Sequence, residues 1–314
     1  MRRILVTGAA TWTGGHLIQH LEREPETEVL AIDEIEPRVG FDSDLFEFAL
    51  DRPEFAHFVI DAKPDAVVHM QTVDRSALLG GRRAHDEAVV GAQALFGAIR
   101  RCESISQVVV KSNVCVYGMG PRNPSVVAED AAVEGTRGRY ARDLRSLEDY
   151  IELTASNRTD ATFTVLRFAH IFGASVNNPL SRYLRLPVVP TRLGYDPRLQ
   201  LISEHDVVRA VTHALANPVG GAFNVAAPGQ QYLSRILRLG HRISQPLPRR
   251  AYDVAVKAMS RADLHLPGHV KRLVHHGLIT DTRRMTDVLG FHPTYTLRQT
   301  VLAGYGVLPE RAAP

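Results

Sequence analysis

Apolar residues along this chain fall into short continuous runs separated by amphipathic stretches. Residues 3–7, RILVT, lead into the glycine-bearing GAATWTGG and then into HLIQHLERE, where Leu17, Ile18 and Leu21 recur at helical spacing. That order predicts a strand, a glycine turn and a helix. A second run, EVLAID, ends at Asp33, 25 residues after Gly8. PDAVVHMQ and QVVVKS predict two further strands, with the helical HDEAVVGAQALFGAIRRC between them; GRYARDLRSLEDY, residues 138–150, predicts the next helix and TFTVLRF the next strand. Continuous rather than alternating apolar runs suit strands covered on both faces, so the expected class is α/β with a doubly wound parallel sheet.

The pattern changes after Gly173. Residues 174–200, ASVNNPLSRYLRLPVVPTRLGYDPRLQ, are rich in Pro and Asn and read as an insertion over a ligand cleft rather than as a sheet element. LISEHDVVRAVTHALAN predicts another strand-to-helix step and GAFNVAA a short strand; from about Gln230 the chain reads as helices and loops.

Composition narrows the function classes. A chain of 314 residues accommodates one large or two modest α/β domains, and its 45% hydrophobic and 23% charged content is that of a globular protein. A net charge of +3 comes from 37 Lys and Arg against 34 Asp and Glu, with no basic block, so no nucleic-acid partner is expected. The apolar runs fall short of the roughly 20 residues that span a bilayer, and Met-Arg-Arg leads straight into a strand, so a cytoplasmic protein is expected. Cys102 and Cys115 form neither a disulfide framework nor a metal-ligand spacing.

VTGAATWTGGHL carries the first candidate chemistry. Gly8 and Gly14, with Thr11, Trp12 and Thr13 between them, join a strand to a helix; such a turn lets backbone amides and the positive helix end approach a pyrophosphate. Asp33 stands where a ribose-binding acid belongs. An acid there accepts from a ribose 2′-OH and repels a 2′-phosphate, which favours NAD over NADP, although Arg38 leaves room for NADP; the alternative is that Asp33 only caps a turn. Residues 1–173 and 201–229 are therefore expected to form a Rossmann-type dinucleotide-binding domain, and 174–200 with 230–314 a smaller substrate-binding lobe.

With these motifs in order, the chain resembles the extended short-chain dehydrogenase/reductase superfamily, in its NAD-dependent epimerase/dehydratase branch. VTGAATWTGGHL, PDAVVHMQT, VVVKSNVCVYG, YARDLRSLE, VLRFAHIFG, LISEHDVV, GAFNVAAPG and DTRRMTDVLGFHP carry the resemblance over nearly the whole length. Within that branch it looks most similar to actinobacterial UDP-glucose-epimerase-like proteins, which share phrases such as RLPVVPTRLGYDPRLQ. The resemblance implies bound NAD, a nucleotide sugar or related alcohol as substrate, and a homodimer formed through helices near residues 84–101 and 138–155.

It also implies a catalytic tyrosine at Tyr140, which exchanges a proton with the substrate alcohol. In the family a Lys one turn later lowers the Tyr pKa, and a Ser or Thr on a neighbouring strand completes the hydrogen bonds. Here Leu144 replaces the Lys, and Asn113 replaces the Ser or Thr, with Ser112 beside it; Thr11 replaces the middle loop glycine. A tyrosine of ordinary pKa is only about one part in a thousand phenolate at pH 7. Arg142 and Arg145 lie about 200° and 140° around the helix from Tyr140, which leaves Lys111 or a basic residue of the second lobe as groups able to approach. Dehydratases of the family carry Asp and Glu where Val114 and Cys115 stand, so dehydration is disfavoured.

The remaining candidates come with bland alternatives. His69 and Gln71 match the loop that passes the cofactor, while His69 equally suits a satisfied core histidine. Arg198 and Asn178 match regions where relatives hold a sugar-nucleotide diphosphate, or belong to an ordinary surface. His265, His269, His275 and His276 lack accompanying acids and cysteines, so no metal is expected. The segment from Arg249 to Lys271 reads as a basic amphipathic surface, with anionic lipid contact a minor alternative. Three functions stay open: an epimerase or reductase working by reversible hydride transfer, an inactive NAD-binding sensor or assembly protein, and a site reused for non-redox chemistry.

Overall fold

A computed structural model describes residues 1–71, 89–131, 138–261 and 264–307. Residues 85–88, the first four of the expected helix from His85, lie outside these residues.

Seven strands form one all-parallel sheet. In chain order these are β1 (Arg2–Thr7), β2 (Thr27–Asp33), β3 (Leu45–Glu47), β4 (Ala66–His69), β5 (Gln107–Asn113), β6 (Thr162–Phe168) and, after four short strands outside this sheet, β11 (Gly221–Val225). Their spatial order is β11-β6-β5-β4-β1-β2-β3. The chain runs outward from β1 through β2 to β3 and then crosses back to β4, so the order reverses between β1 and β4. Open parallel sheets bind ligands at the carboxyl ends beside such a switch point.

Residue parity divides the core. Ile4, Val6, Val68 and Val109 face the helices α1 (Trp12–Leu21) and α6 (Glu204–Ala216). Leu5, Val67, Val108 and Val110 face α2 (Pro53–Ala62), α3 (Gly91–Ile99) and α4 (Arg139–Asn157). Both sides are apolar, which is why these strands read as continuous runs.

A third cluster lies past the ends of the strands. It joins Val114, Cys115, Val116 and Tyr117, the 3-10 turn after β5, with Leu144 of α4 and residues from α5 (Pro179–Leu184), α7 (Leu233–Leu239), α8 (Arg249–Arg261), α9 (Gly268–His276) and α11 (Leu297–Gly304). The loop between α10 (Arg283–Asp287) and α11 is tied to α6, where Asp206 accepts from the amides of Thr294 at 2.8 Å and Tyr295 at 3.0 Å.

Residues 174–200 depart from the expected insertion without sheet structure. They contain β8 (Val188–Arg192) and β9 (Arg198–Leu199), and the segment after Gln230, expected to be helices and loops, contains β12 (Gln231–Tyr232) and β13 (Ile243–Leu247). β8 pairs with β13 in parallel, and β9 with β12 antiparallel. Two further short strands, β7 (His170–Ile171) and β10 (Leu201–Ile202), pair with each other beyond β6.

Candidate active site

The loop after β1 is built by close backbone approach. Gly8 has φ +80°, and a Cβ there would stand 2.5 Å from the Gln71 amide nitrogen. The turns after β1 and β4 are thus pressed together at the switch point. A Cβ on Gly14 would stand 2.1 Å from Gly8 O. Thr11, where the middle glycine was expected, has φ −73° and ψ 153°, a conformation open to any residue. Its hydroxyl donates to Gly8 O at 2.8 Å and accepts from Gly14 N at 3.0 Å, so the replacement turns a loop glycine into the N-cap of α1.

Trp12 and Thr13 form the first turn of α1, whose leading amides point out of the helix start, a position suited to an anion. The Trp12 ring turns away from that start toward His16, 4.0 Å between centroids, and His205, 5.5 Å. Asp33 is 1% exposed. It accepts from Ala10 N at 2.8 Å through one oxygen and from Glu34 N at 2.7 Å through the other. The turn-capping role left open by the sequence is therefore present, and it ties the glycine loop to the end of β2.

His69 ends β4 with its ring sealed in the sheet interface rather than facing the crevice. Nδ1 lies 2.7 Å from Thr7 Oγ1, Phe96 packs edge-on at 6.2 Å, and Nε2 is buried with no hydrogen-bond partner among the described residues. Burial, aided by the charge of Lys111, pushes its pKa down to about 4. Gln71 is also buried, with its backbone against Gly8.

The end of β5 separates the other candidates. Ser112 donates to Glu148 Oε1 at 2.6 Å, inside a buried network: Glu148 forms a two-oxygen pair with Arg167, closest at 2.7 Å, and Arg167 donates to the Tyr117 hydroxyl at 2.7 Å. Burial raises the Tyr117 pKa to about 12, so this hydroxyl stays protonated and donates to Asn224 Oδ1 at 2.7 Å. Asn113 points elsewhere: its Oδ1 caps the 3-10 turn by accepting from Cys115 N at 2.8 Å. Cys115 Sγ lies 3.6 Å from His170 Nε2 across the ends of β5 and β6.

Tyr140 sits at the start of α4, half-buried against the third cluster. Its ring stacks on His269 of α9 with centroids 3.9 Å apart and planes 17° from parallel. Leu144, one turn on, is fully buried in that cluster. Arg142 and Arg145 are exposed on the opposite side, as the helical angles predict, and Arg145 pairs with Asp149 at 2.9 Å.

The two substrate candidates part company. Asn178 is the N-cap of α5, accepting from Ser181 N at 2.8 Å and donating to Ile171 O at 2.9 Å. Arg198 borders a cavity of about 180 Å³ with Asn123, Ser125 and His276. Of the four C-terminal histidines, His275 accepts from Arg192 Nη1 at 2.8 Å. Burial, with His276 and Arg192 adding to it, lowers the His275 pKa to about 4.

Gly8, Thr11, Gly14, Asp33 and Gln71 are thus brought together at the switch point, Asn113 and Tyr140 gather around the third cluster, and Ser112 is drawn away by Glu148. The positions of His170 and His269 were not anticipated. His170 follows Arg167 by three residues in VLRFAHIFG, a local signal at a strand end; His269 is distant in sequence from Tyr140, and no local pattern links them.

Residues 4–226 match the family described as NAD dependent epimerase/dehydratase. The chain belongs to this family. An uncharacterized protein of Mycobacterium tuberculosis is 32% identical over 305 residues, covering 93% of this chain and 80% of its own length. Among solved structures, the fold is similar to a Thermotoga maritima UDP-glucose 4-epimerase bound to UDP-glucose, with TM-score 0.74, 19% identity and coverage of 97% of this chain and 98% of that one. It is also similar to a Bacillus cereus UDP-glucuronic acid 4-epimerase in complex with NAD, with TM-score 0.73, 17% identity and the same 97% and 98% coverage. At these identities the likeness is one of fold; membership of the family rests on the match over residues 4–226.

Proposed function

We propose that this member of the epimerase/dehydratase family binds NAD and acts on a nucleotide sugar or a related alcohol or ketone by reversible hydride transfer, as an epimerase or reductase. The carrying observation is the switch point between β1 and β4. There the absence of a Cβ at Gly8 and Gly14 lets the loop fold tightly onto itself and against Gln71, α1 presents its first-turn amides, and Asp33 ties the loop to the end of β2, where it would accept from a ribose 2′-OH. Gln71 would contribute through its backbone, pressed against Gly8, and His69 through its hold on Thr7 at the end of β1. Bound there, NAD would supply the hydride acceptor. Tyr140 would donate or take the substrate proton, and the Asn113 amide nitrogen would orient the oxygen, while Ser112 supports α4 through Glu148 instead of touching substrate. Arg198 is the remaining candidate for an anionic substrate group. Residues 174–200 and 230–307, paired through β8 with β13 and β9 with β12, would form the substrate lobe. We also propose a homodimer through α3 and α4.

The buried Leu144 and the committed Ser112 favour a second reading, a nucleotide-binding protein without turnover. Mass spectrometry and absorbance of the purified protein separate the two. Bound NAD that is reduced on adding a sugar nucleotide, and is not reduced in Tyr140→Phe, supports the enzyme; full occupancy with no reduction across a substrate panel supports the binder. Absence of any dinucleotide would remove both.

A further inference from the structure

The position one turn after Tyr140 holds no cation, because Leu144 is fully buried among apolar side chains. Two groups from a different element reach this end of α4. His269 stacks on the ring at 3.9 Å, itself only 7% exposed. Three residues on, Arg272 reaches the start of α4: Gly138 has φ +116°, and a Cβ there would stand 2.3 Å from Arg272 Nη1. A side chain at 138 would displace the guanidinium. Residues three apart share a helix face, so one face of α9 carries both groups.

We propose that α9 supplies the electrostatic support for the Tyr140 phenolate that family members take from their lysine, with His269 as a stacked, proton-sharing positioning residue and Arg272 as a fixed charge. This rests on the reading of Tyr140 as the acid–base group. Moving a proton from a tyrosine to a histidine of ordinary pKa is uphill by about three and a half pKa units. An opposite charge at about 4–6 Å shifts a pKa by about one to three units, so a stacked phenolate and imidazolium recover most of that gap. The permanent charge of Arg272 acts in the same direction. The pair then titrates as a unit, and neither apparent pKa belongs to one ring alone.

Other titratable groups lie on the elements packed around the same tyrosine. On α4, Asp143 lies one turn on and opposes the phenolate, and Arg139, with Nε 3.9 Å from Asp143 Oδ2, offsets it. After the end of β5, the buried Cys115 thiol belongs to the apolar cluster that Tyr140 packs against, beside His170. Lys111, on the same strand, has its charge felt at His69.

The test is a titration of Tyr140 in the whole protein without cofactor or substrate, read as the phenolate absorbance of each chain minus that of its Tyr140→Phe counterpart. His269→Phe keeps an aromatic stack and removes the proton site; Arg272→Gln keeps length and removes the charge. The expected result is a Tyr140 pKa below the ordinary tyrosine value, rising by about one unit in each variant. An unchanged Tyr140 pKa in both variants overturns the proposal, and a shift in melting temperature alone does not support it. NAD binding to the same samples is measured separately. Its absence would count against the functional reading, and an invariant pKa with NAD bound against this inference only.

Discussion

His69 is a residue whose protonation is set by folding. In the unfolded chain its imidazole titrates near 6.5; in the folded chain burial moves it to about 4. Between those values the unfolded state binds more protons, so stability is full above pH 6.5 and falls as the pH drops toward 4. A shift of this size in a fully buried ring corresponds to about 3 kcal/mol at most. His275, also held down to about 4, contributes in the same window but is more open to solvent, so its share is smaller. Urea unfolding of the wild type and His69→Gln at several pH values should show a steeper acid loss in the wild type; parallel curves would refute it. Gly8 and Asp33 were legible from spacing because loop conformation and strand end are local properties. Thr11 and His69 were not, since each role depends on a partner: the cap that Thr11 gives Gly14, and the contact of His69 with a threonine 62 residues away.

At the scale of elements, α4 is held by one buried polar network. Glu148 faces Arg167 of β6 and Ser112 of β5, with the Glu148 and Arg167 side chains 8% and 9% exposed, and Arg167 extends the network to Tyr117. Removing one member of a buried pair leaves the other charge stranded, which costs about 3–5 kcal/mol. Glu148→Ala should therefore lower the unfolding free energy by that order in chemical denaturation; a loss under about 1 kcal/mol would mean the pair is dispensable. Most of the large sheet was legible because its inner strands are buried on both faces; the edge strand β3, three residues long and not buried, was not. The ribbon of β8 and β13 was not. Pro190 and Pro246 lie within these strands, and a proline removes a ladder donor, so such runs read as loops. A two-stranded ribbon consists only of edges, where a missing donor is tolerated.

For the whole molecule, the argument turns on what the outer face of α3 and α4 is for. The two helices pack on each other, and Gln93 of α3 donates to the Tyr150 hydroxyl of α4. Val90, just before α3, is 41% exposed and Leu153 of α4 is 54% exposed, both of them apolar. Along the exposed stripe of α4, Arg142 and Arg145 lie in the first half and Asp149 and Glu152 in the second. A two-fold axis crossing that stripe sets the first half of one helix against the second half of its mate, so each basic pair meets an acidic pair and Leu153 is covered. Dimers are therefore expected in sedimentation at micromolar concentration, loosening as salt screens the exposed charges. Leu153→Asp should yield monomers with a nearly unchanged circular dichroism spectrum, because the residue is already solvent-facing in the single chain. A wild type that sediments as a monomer, or a Leu153→Asp variant that remains dimeric, would place the interface elsewhere.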